Sequence, residues 1–455
     1  MERIIKESLV QWKKSLKRKP LIIQGARQVG KTWLMQEFGR NFFSNTAYIN
    51  FDDMRTFHDL FTPDFNIKRI IKSMEQLMHI KISTENTLII FDEIQECNRA
   101  LISLKYFCEN APEYHIAAAG SFLGVSMHEG SSFPVGKVEI KTLYPLTFYE
   151  FLNAIGEGSL TEAALKQDYA HIQGLKNRYI ELLKYYYFTG GMPEVVLSFA
   201  EERNLKRVRE IQHTIVKNYS ADFSKHISAS DIPKVHLLWD SIPAQLAKEK
   251  KKFIYSEVKH GVRAREYENA LTWMIKSGLA YQVNRVNRPG LPLISYQEHE
   301  HFKLYMLDIG LLAAKANLDI ATLFAPDTSL FRHFKGALSE QFVLQELKAL
   351  DDYLPVFYWT NKRNTSEIDF IIQKWDTVIP LEVKSETNLK AKSLMSFIDT
   401  YKPKKAVRAS LSDYKCSGNL FDIPLYLTGS LFQVIDTSFS PPALRPVRDA
   451  KLKKI

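Results

Sequence analysis

Gly25-Ala26-Arg27-Gln28-Val29-Gly30-Lys31-Thr32 fits the phosphate-loop pattern G-x-x-x-x-G-K-[ST] at every position. Residues 21–23 before it form an apolar, strand-like run, and TWLMQEF after it reads as a helix, the context this pattern requires. The two glycines let the backbone fold around an anion, so that successive N–H groups and the helix N-terminus point at phosphate. Gly25, Ala26, Arg27, Gln28, Val29, Gly30, Lys31, Thr32 and Trp33 are the expected nucleotide-binding segment. Lys31 can reach the β and γ phosphates, and the Thr32 hydroxyl can take a Mg²⁺ position.

Further along, Thr87-Leu88-Ile89-Ile90-Phe91-Asp92-Glu93 is an apolar run ending in two carboxylates. Asp92 is suited to hold Mg²⁺, directly or through water, and Glu93 to orient and polarise an attacking water. The next apolar run, 115–119, ends in Gly120-Ser121. Ser121 is expected between the ends of the two earlier strands, as a sensor of γ-phosphate. No guanine-reading NKxD follows; Asn361-Lys362-Arg363-Asn364 begins like one but lacks the Asp.

The 455 residues are 45% apolar, 12% aromatic and 25% charged, which excludes a disordered or collagen-like chain and fits two to four domains. Three cysteines, Cys97, Cys108 and Cys416, exclude a disulfide framework and any CxxC zinc module. No apolar run approaches the roughly 20 residues of a membrane span. The N-terminal MERIIKESLVQWKKSLKRK lacks the apolar core of a signal peptide. The expectation is a soluble cytoplasmic protein with no membrane contact. The formal net charge is +10, unevenly spread: residues 1–50 carry ten Lys/Arg against three acids, 201–265 fourteen against eight, and 443–455 five against one. Such stretches fit a nucleic-acid surface or, equally, solvated helix faces and a frayed tail.

Residues 1–152 alternate strand-like and helical runs, which predicts a mainly parallel α/β sheet with sites at the carboxyl ends of its strands. From 161 to 227 the pattern is helical, broken by Gly190-Gly191-Met192-Pro193. Residues 233–315 read as helices followed by two strands around Asn287-Arg288-Pro289-Gly290, and 330–435 as helices mixed with strands.

Taken together, GARQVGKT, IIFDEIQ, AAGS, LYPLTFYEFL and GGMPEVV resemble a bacterial and archaeal family of AAA+ type ATPases. In it a P-loop core precedes a carboxy-terminal region of uncharacterised function. The resemblance spans roughly residues 1–435 and implies ATP rather than GTP, with a helical lid after the core. It also implies a basic residue, usually Arg, shortly before LxPLxFxEF. Here the pair is Gly136-Lys137, and lysine keeps the charge but not the planar fork of an arginine finger.

Residues 233–308 have the order of a winged helix, with a candidate recognition helix at 264–277 carrying Arg265 and Lys276 beside Arg263. Leu271, Trp273, Met274 and Leu279 read as its core side, and His299 and His301 as solvated histidines without a third ligand. Further on, Glu340 on a helix, Asp369 in EIDFII and Glu382-Val383-Lys384 after IPLEV resemble the PD-(D/E)xK nuclease superfamily. That resemblance implies a second metal site from Glu340, Asp369 and Glu382, with Lys384 as the nuclease-like lysine and Glu367 assisting or replacing Asp369. Glu257-Val258-Lys259 has the same E-x-K spacing but no acidic strand before it.

The resulting expectation is an α/β P-loop NTPase core of AAA+ type (1–155), a helical lid (156–230), a winged helix (231–322), a nuclease-like domain (323–440) and a basic tail (441–455). Lys31, Glu93 and Ser121 are its catalytic candidates, and ATP and Mg²⁺ its cofactors. Nucleic acid, protein partners and further copies of the chain are its candidate partners. The alternative is a nucleotide-dependent interaction switch with no nuclease activity.

Overall fold

The computed structural model describes residues 1–120, 133–325, 332–361, 363, 365–387 and 389–435. Ser121 and the 441–455 tail lie outside them. Five parallel strands form the first sheet: β1 (Leu21–Gln24), β2 (Asn45–Asn50), β3 (Thr87–Asp92), β4 (His115–Gly120) and β5 (Glu139–Thr142), in the order β2-β3-β4-β1-β5. Every residue of β3 and β4 is buried, as their unbroken apolar runs demand of strands covered on both faces. The order sets β4 between β1 and β3, so the phosphate loop after β1 and the acidic pair after β3 flank the end of β4.

Helices follow from Phe148–Ala154 to Leu205–His226. The first is opened by a capping box, in which Thr147 Oγ1 accepts from Glu150 N (3.2 Å) and Glu150 Oε2 accepts from Thr147 N (2.9 Å). Three loops then interlock. Leu146 N donates to Gly191 O (2.7 Å), and Gly191 N donates to Asp308 Oδ2 (2.6 Å). A Cβ on Gly191 would fall 2.1 Å from Leu146 O, so the contact requires glycine.

The Ala264–Lys276 helix is followed by the antiparallel pair β6 (Ala280–Val286) and β7 (Gln297–Met306). Leu271, Trp273, Met274 and Leu279 are buried, while Arg263, Arg265 and Lys276 are exposed. After the Arg332–Leu350 helix come β8 (Val356–Thr360), β9 (Glu367–Lys374) and β10 (Thr377–Val383) as an antiparallel meander. The Lys392–Tyr401 helix crosses to β11 (Ala406–Ser410), parallel to β10, and β12 (Lys415–Ser417) and β13 (Leu420–Pro424) complete the edge.

The β6–β7 pair does not stand apart from these strands. β6 runs parallel to β8, with Arg285 opposite Tyr358 and Val286 opposite Trp359, giving one eight-stranded sheet in the order β12-β13-β11-β10-β9-β8-β6-β7. One cluster of contacting buried residues runs from Leu9 to Ile435 through both halves. Among the described residues no helix is long and apolar enough to cross a membrane.

Candidate functional site

The phosphate loop leaves β1 at Gly25 and enters the Lys31–Phe42 helix at Gly30. Gly25 has φ +155° and lies so close to Leu143 that a Cβ would sit 2.3 Å from its carbonyl oxygen. Gly30 takes φ +92° at the helix N-cap and Gln28 takes φ 62°, which turns the loop back on itself. Lys31 is 6% exposed, and its Nζ donates to the carbonyl oxygens of Gly25 (3.0 Å) and Ala26 (2.8 Å). Burial pulls its pKa down to about 8, against the opposing pull of Glu93 and Asp92.

Thr32 Oγ1 donates to Asp92 Oδ2 (2.7 Å), and the Tyr48 hydroxyl donates to the same oxygen (2.9 Å). Glu93 N donates to Asp92 Oδ1 (3.1 Å). Burial raises the Asp92 carboxyl above its ordinary range despite these bonds. Glu93 has φ 47°, an uncommon conformation for a residue with a side chain, and the kind of local strain that gathers at working sites. Gln95 Nε2 donates to Glu93 Oε2.

The structure therefore brings Lys31, Thr32 and Asp92 together, with Glu93 on the next residue. Thr32 and Asp92 supply the hydroxyl and carboxylate oxygens that Mg²⁺ favours, and the ion ordinarily keeps water and phosphate in its remaining positions. Lys31 Nζ rests on carbonyls of the loop itself. These donors fit Mg·ATP. Trp33 is 39% exposed and lines a cavity of about 180 Å³ with Met1, Arg3, Lys6 and Glu37.

Sequence reasoning missed three groups here. Tyr48 reaches Asp92 because β2 and β3 pair in register, with Tyr48 opposite Ile90 and Asn50 opposite Asp92. Arg3 is buried and donates to Val29 O (3.0 Å), Tyr144 O (2.6 Å) and Glu150 Oε1 (3.0 Å), clamping the loop to the LYPLTFYEF segment. The Leu205–His226 helix grips the loop from the other side: Tyr219 OH donates to Arg27 O (2.6 Å), and Asp222 pairs with the Arg27 guanidinium.

Lys137 precedes β5, whose Glu139 pairs with Leu21 at the start of β1. It thus lies at the amino edge of the sheet, about 10 Å of strand away from the phosphate loop. Its Nζ is 2.9 Å from Glu109 Oε1.

Residues 17–152 match the family described as an AAA domain. The chain carries an AAA-type P-loop ATPase domain. Beyond that AAA domain, residues 180–322 match a domain of unknown function (DUF8612) and 335–427 another (DUF4143). No curated protein matches the chain. Solved structures similar to it include the Walker-type ATPase PABY2304 of Pyrococcus abyssi, at 12% identity and TM-score 0.42 over 69% of this chain and 95% of that one. A RuvB variant of Thermotoga maritima follows at 14% identity and TM-score 0.30, over 61% and 88%. Cdc6p from Pyrobaculum aerophilum has 11% identity and TM-score 0.28, over 71% and 96%.

In the carboxy-terminal half, Glu340 and Glu382 are buried and ion-paired, and Asp369 is half-buried beside them. Glu340 pairs with Lys251 through Oε1, and its Oε2 accepts from the Tyr305 hydroxyl (2.9 Å). Asp369 Oδ2 accepts from Val383 N (2.8 Å), and Lys384 Nζ donates to Glu382 Oε1 (2.6 Å). Burial alone would raise Glu340, but Lys251 and Lys303 hold it down at about 2. Burial, Glu340 and Glu382 drive the Asp369 carboxyl well above its ordinary range. Glu340, Asp369 and Glu382 come into one neighbourhood. Among the described residues no group of three His, Cys, Asp or Glu is placed to hold a metal ion. Lysines engage both Glu340 oxygens and Glu382 Oε1, and the Val383 amide takes Asp369 Oδ2.

Proposed function

We propose that the AAA domain binds Mg·ATP at the phosphate loop and passes its nucleotide state to the carboxy-terminal half through the Leu205–His226 helix. The observation that carries this reading is the grip of Tyr219 and Asp222 on Arg27, inside the loop. The turn after the Ala264–Lys276 helix adds a second contact, since a Cβ on Gly278 would sit 3.6 Å from Ala26 N. Lys31 would exchange its loop carbonyls for phosphate oxygens, and Glu93 would orient the attacking water. Mg²⁺, held by Thr32 and Asp92, would neutralise charge on the phosphates. Lys137 is too far along its own sheet to reach its own nucleotide, so in this reading it serves the site of a second copy. Hydrogen exchange with and without ATP tests the coupling. Protection should change within 205–226 in the wild type and not in Lys31→Ala; an unchanged helix on saturating ATP refutes it.

The finer architecture belongs to the same proposal. A core over 1–155, a lid over 156–230 and a winged helix over 231–322 fit the helix order and the β6–β7 hairpin. A PD-(D/E)xK-like fold over 323–440 is supported by the helix, three-strand meander, crossover helix and parallel strand from Arg332 to Ser410. A nucleic-acid partner is a second reading, favoured by residues 248–265, which hold seven Lys/Arg against two acids. Lys250, Lys259, Arg263 and Arg265 are exposed. DNA affinity that falls steeply with salt supports it, and affinity indifferent to salt counts against it.

A further inference from the structure

Lys303 lies in the middle of β7, between buried Phe302 and Leu304, and its side chain is 1% exposed. Its Nζ stands 2.6 Å from Glu367 Oε1, 3.6 Å from Glu340 Oε2 and 5.1 Å from the centroid of the Tyr358 ring. These contacts are ionic, and none has hydrogen-bond geometry. The lysine thus reaches from the β6–β7 hairpin to acids on the Arg332–Leu350 helix and on β9. Lys251, from the loop after the Ile232–Leu246 helix, takes the other Glu340 oxygen.

Both Glu340 oxygens, Asp369 Oδ2 and Glu382 Oε1 are engaged by Lys251, Lys303, Tyr305, Val383 and Lys384. Glu382 Oε2 is buried without a hydrogen-bond partner among the described residues. A hard divalent cation needs about six oxygens. Charge points the same way: the ammonium groups of Lys251, Lys303 and Lys384 face the carboxyls of Glu340, Glu367, Asp369 and Glu382. Three ammonium groups already offset three of the four carboxylate charges, so little uncompensated negative charge is left to draw in a dication.

We propose that the Lys303 ammonium is the resident cation of this carboxylate cluster, tying the β6–β7 hairpin to the carboxy-terminal strands, so that the cluster takes no divalent metal and supports no metal-dependent phosphodiester cleavage. On the nuclease-like reading of residues 323–440 proposed above, the chain itself supplies the cation of that centre.

Full-length protein, stripped with EDTA and free of nucleotide, is titrated with Mn²⁺ alone. Free Mn²⁺ is followed by its paramagnetic resonance signal, and melting is followed in parallel. The wild type should show no Mn²⁺ site that Asp369→Asn abolishes. Lys303→Met should melt lower and gain a Mn²⁺ site at least tenfold tighter than any in the wild type, lost again when Asp369→Asn is added. A wild-type site removed by Asp369→Asn but kept in Asp92→Asn would overturn the proposal. So would a folded Lys303→Met with wild-type melting and no new site. Should Lys303→Met not fold, Lys303→Arg decides: indifference to Mn²⁺ supports the resident cation, and acquired Mn²⁺ affinity refutes it.

Discussion

The Tyr219 hydroxyl donates to the Arg27 carbonyl oxygen over 2.6 Å, joining the middle of a long helix to the tip of the phosphate loop. Arg27 and Tyr219 are 192 residues apart in the chain. Tyr219 is buried, so removing the hydroxyl leaves a loop carbonyl short of a partner. Tyr219→Phe should lower stability by about 1 kcal/mol, the usual net worth of such a bond. It should also weaken the ATP-dependent protection of 205–226 while leaving ATP binding in place. Denaturant melts and hydrogen exchange on one preparation check both parts.

Lys31→Ala removes the ammonium nearest the loop. ATP affinity should fall at least tenfold, about 1.4 kcal/mol, in keeping with the strength of charge-assisted bonds to phosphate. Titration calorimetry reads the change directly, and equal affinities would rule out this role for Lys31.

Glu93→Gln should separate binding from turnover. Asp92 and Thr32 keep their mutual bond in that variant, so nucleotide affinity should stay within a few-fold of wild type. Phosphate release should fall by two orders of magnitude or more, about the contribution of a positioned general base.

Lys137→Arg restores a planar fork at a position that pairs with Glu109 in the isolated chain. An arginine finger contributes roughly 10³–10⁵ in kcat where it meets the γ-phosphate. The variant should hydrolyse ATP at least several-fold faster, with a rate that rises with protein concentration, as assistance between copies requires. Steady-state assays across a concentration series, with oligomeric state monitored, provide the check.

Glu346 on the Arg332–Leu350 helix accepts from Phe148 N (2.8 Å), and burial pushes its carboxyl up to about 8. A carboxyl whose pKa is raised on folding adds stability while it is protonated, and that stability is lost as pH rises from the unfolded value near 4.5 through 8. One such group changes stability by at most about 1.4 kcal/mol per pH unit. Glu346→Gln keeps an acceptor for Phe148 and cannot ionise. Its melting temperature should match wild type near pH 4.5 and exceed it near pH 8; a constant difference across that range would contradict the assignment.

The phosphate loop and its acidic partner were legible because their chemistry is local: a strand end, a turn of fixed length and a helix start lie side by side in sequence. The parallel sheet was legible for a similar reason, since strands buried on both faces are written as unbroken apolar runs. Tyr48, Arg3 and Asp222 were not, because each meets the site only through register or packing between segments distant in the chain. Lys303 hid in plain view. A single lysine between Phe302 and Leu304 looks like the polar side of an alternating strand, and only the helix and β9 packed over it make it buried. Lys251, one of a basic run that suggested a solvated face or a nucleic-acid surface, turned out to be an ion-pair partner of Glu340.

The parallel pairing of β6 with β8 also has a consequence for how the chain is made. Val286 leaves the ribosome long before Trp359, the residue that it must face. Until then the Arg285–Val286 end of β6 is an open edge with unpaired amides and carbonyls, a template for another strand of the same kind. Contacts of such wide sequence separation also form slowly. Synthesis that stalls between Met306 and Val356 would leave a hairpin whose natural neighbour has not yet been translated, and two stalled chains could close each other's edge. Slower translation across that stretch is expected to lower the yield of folded protein.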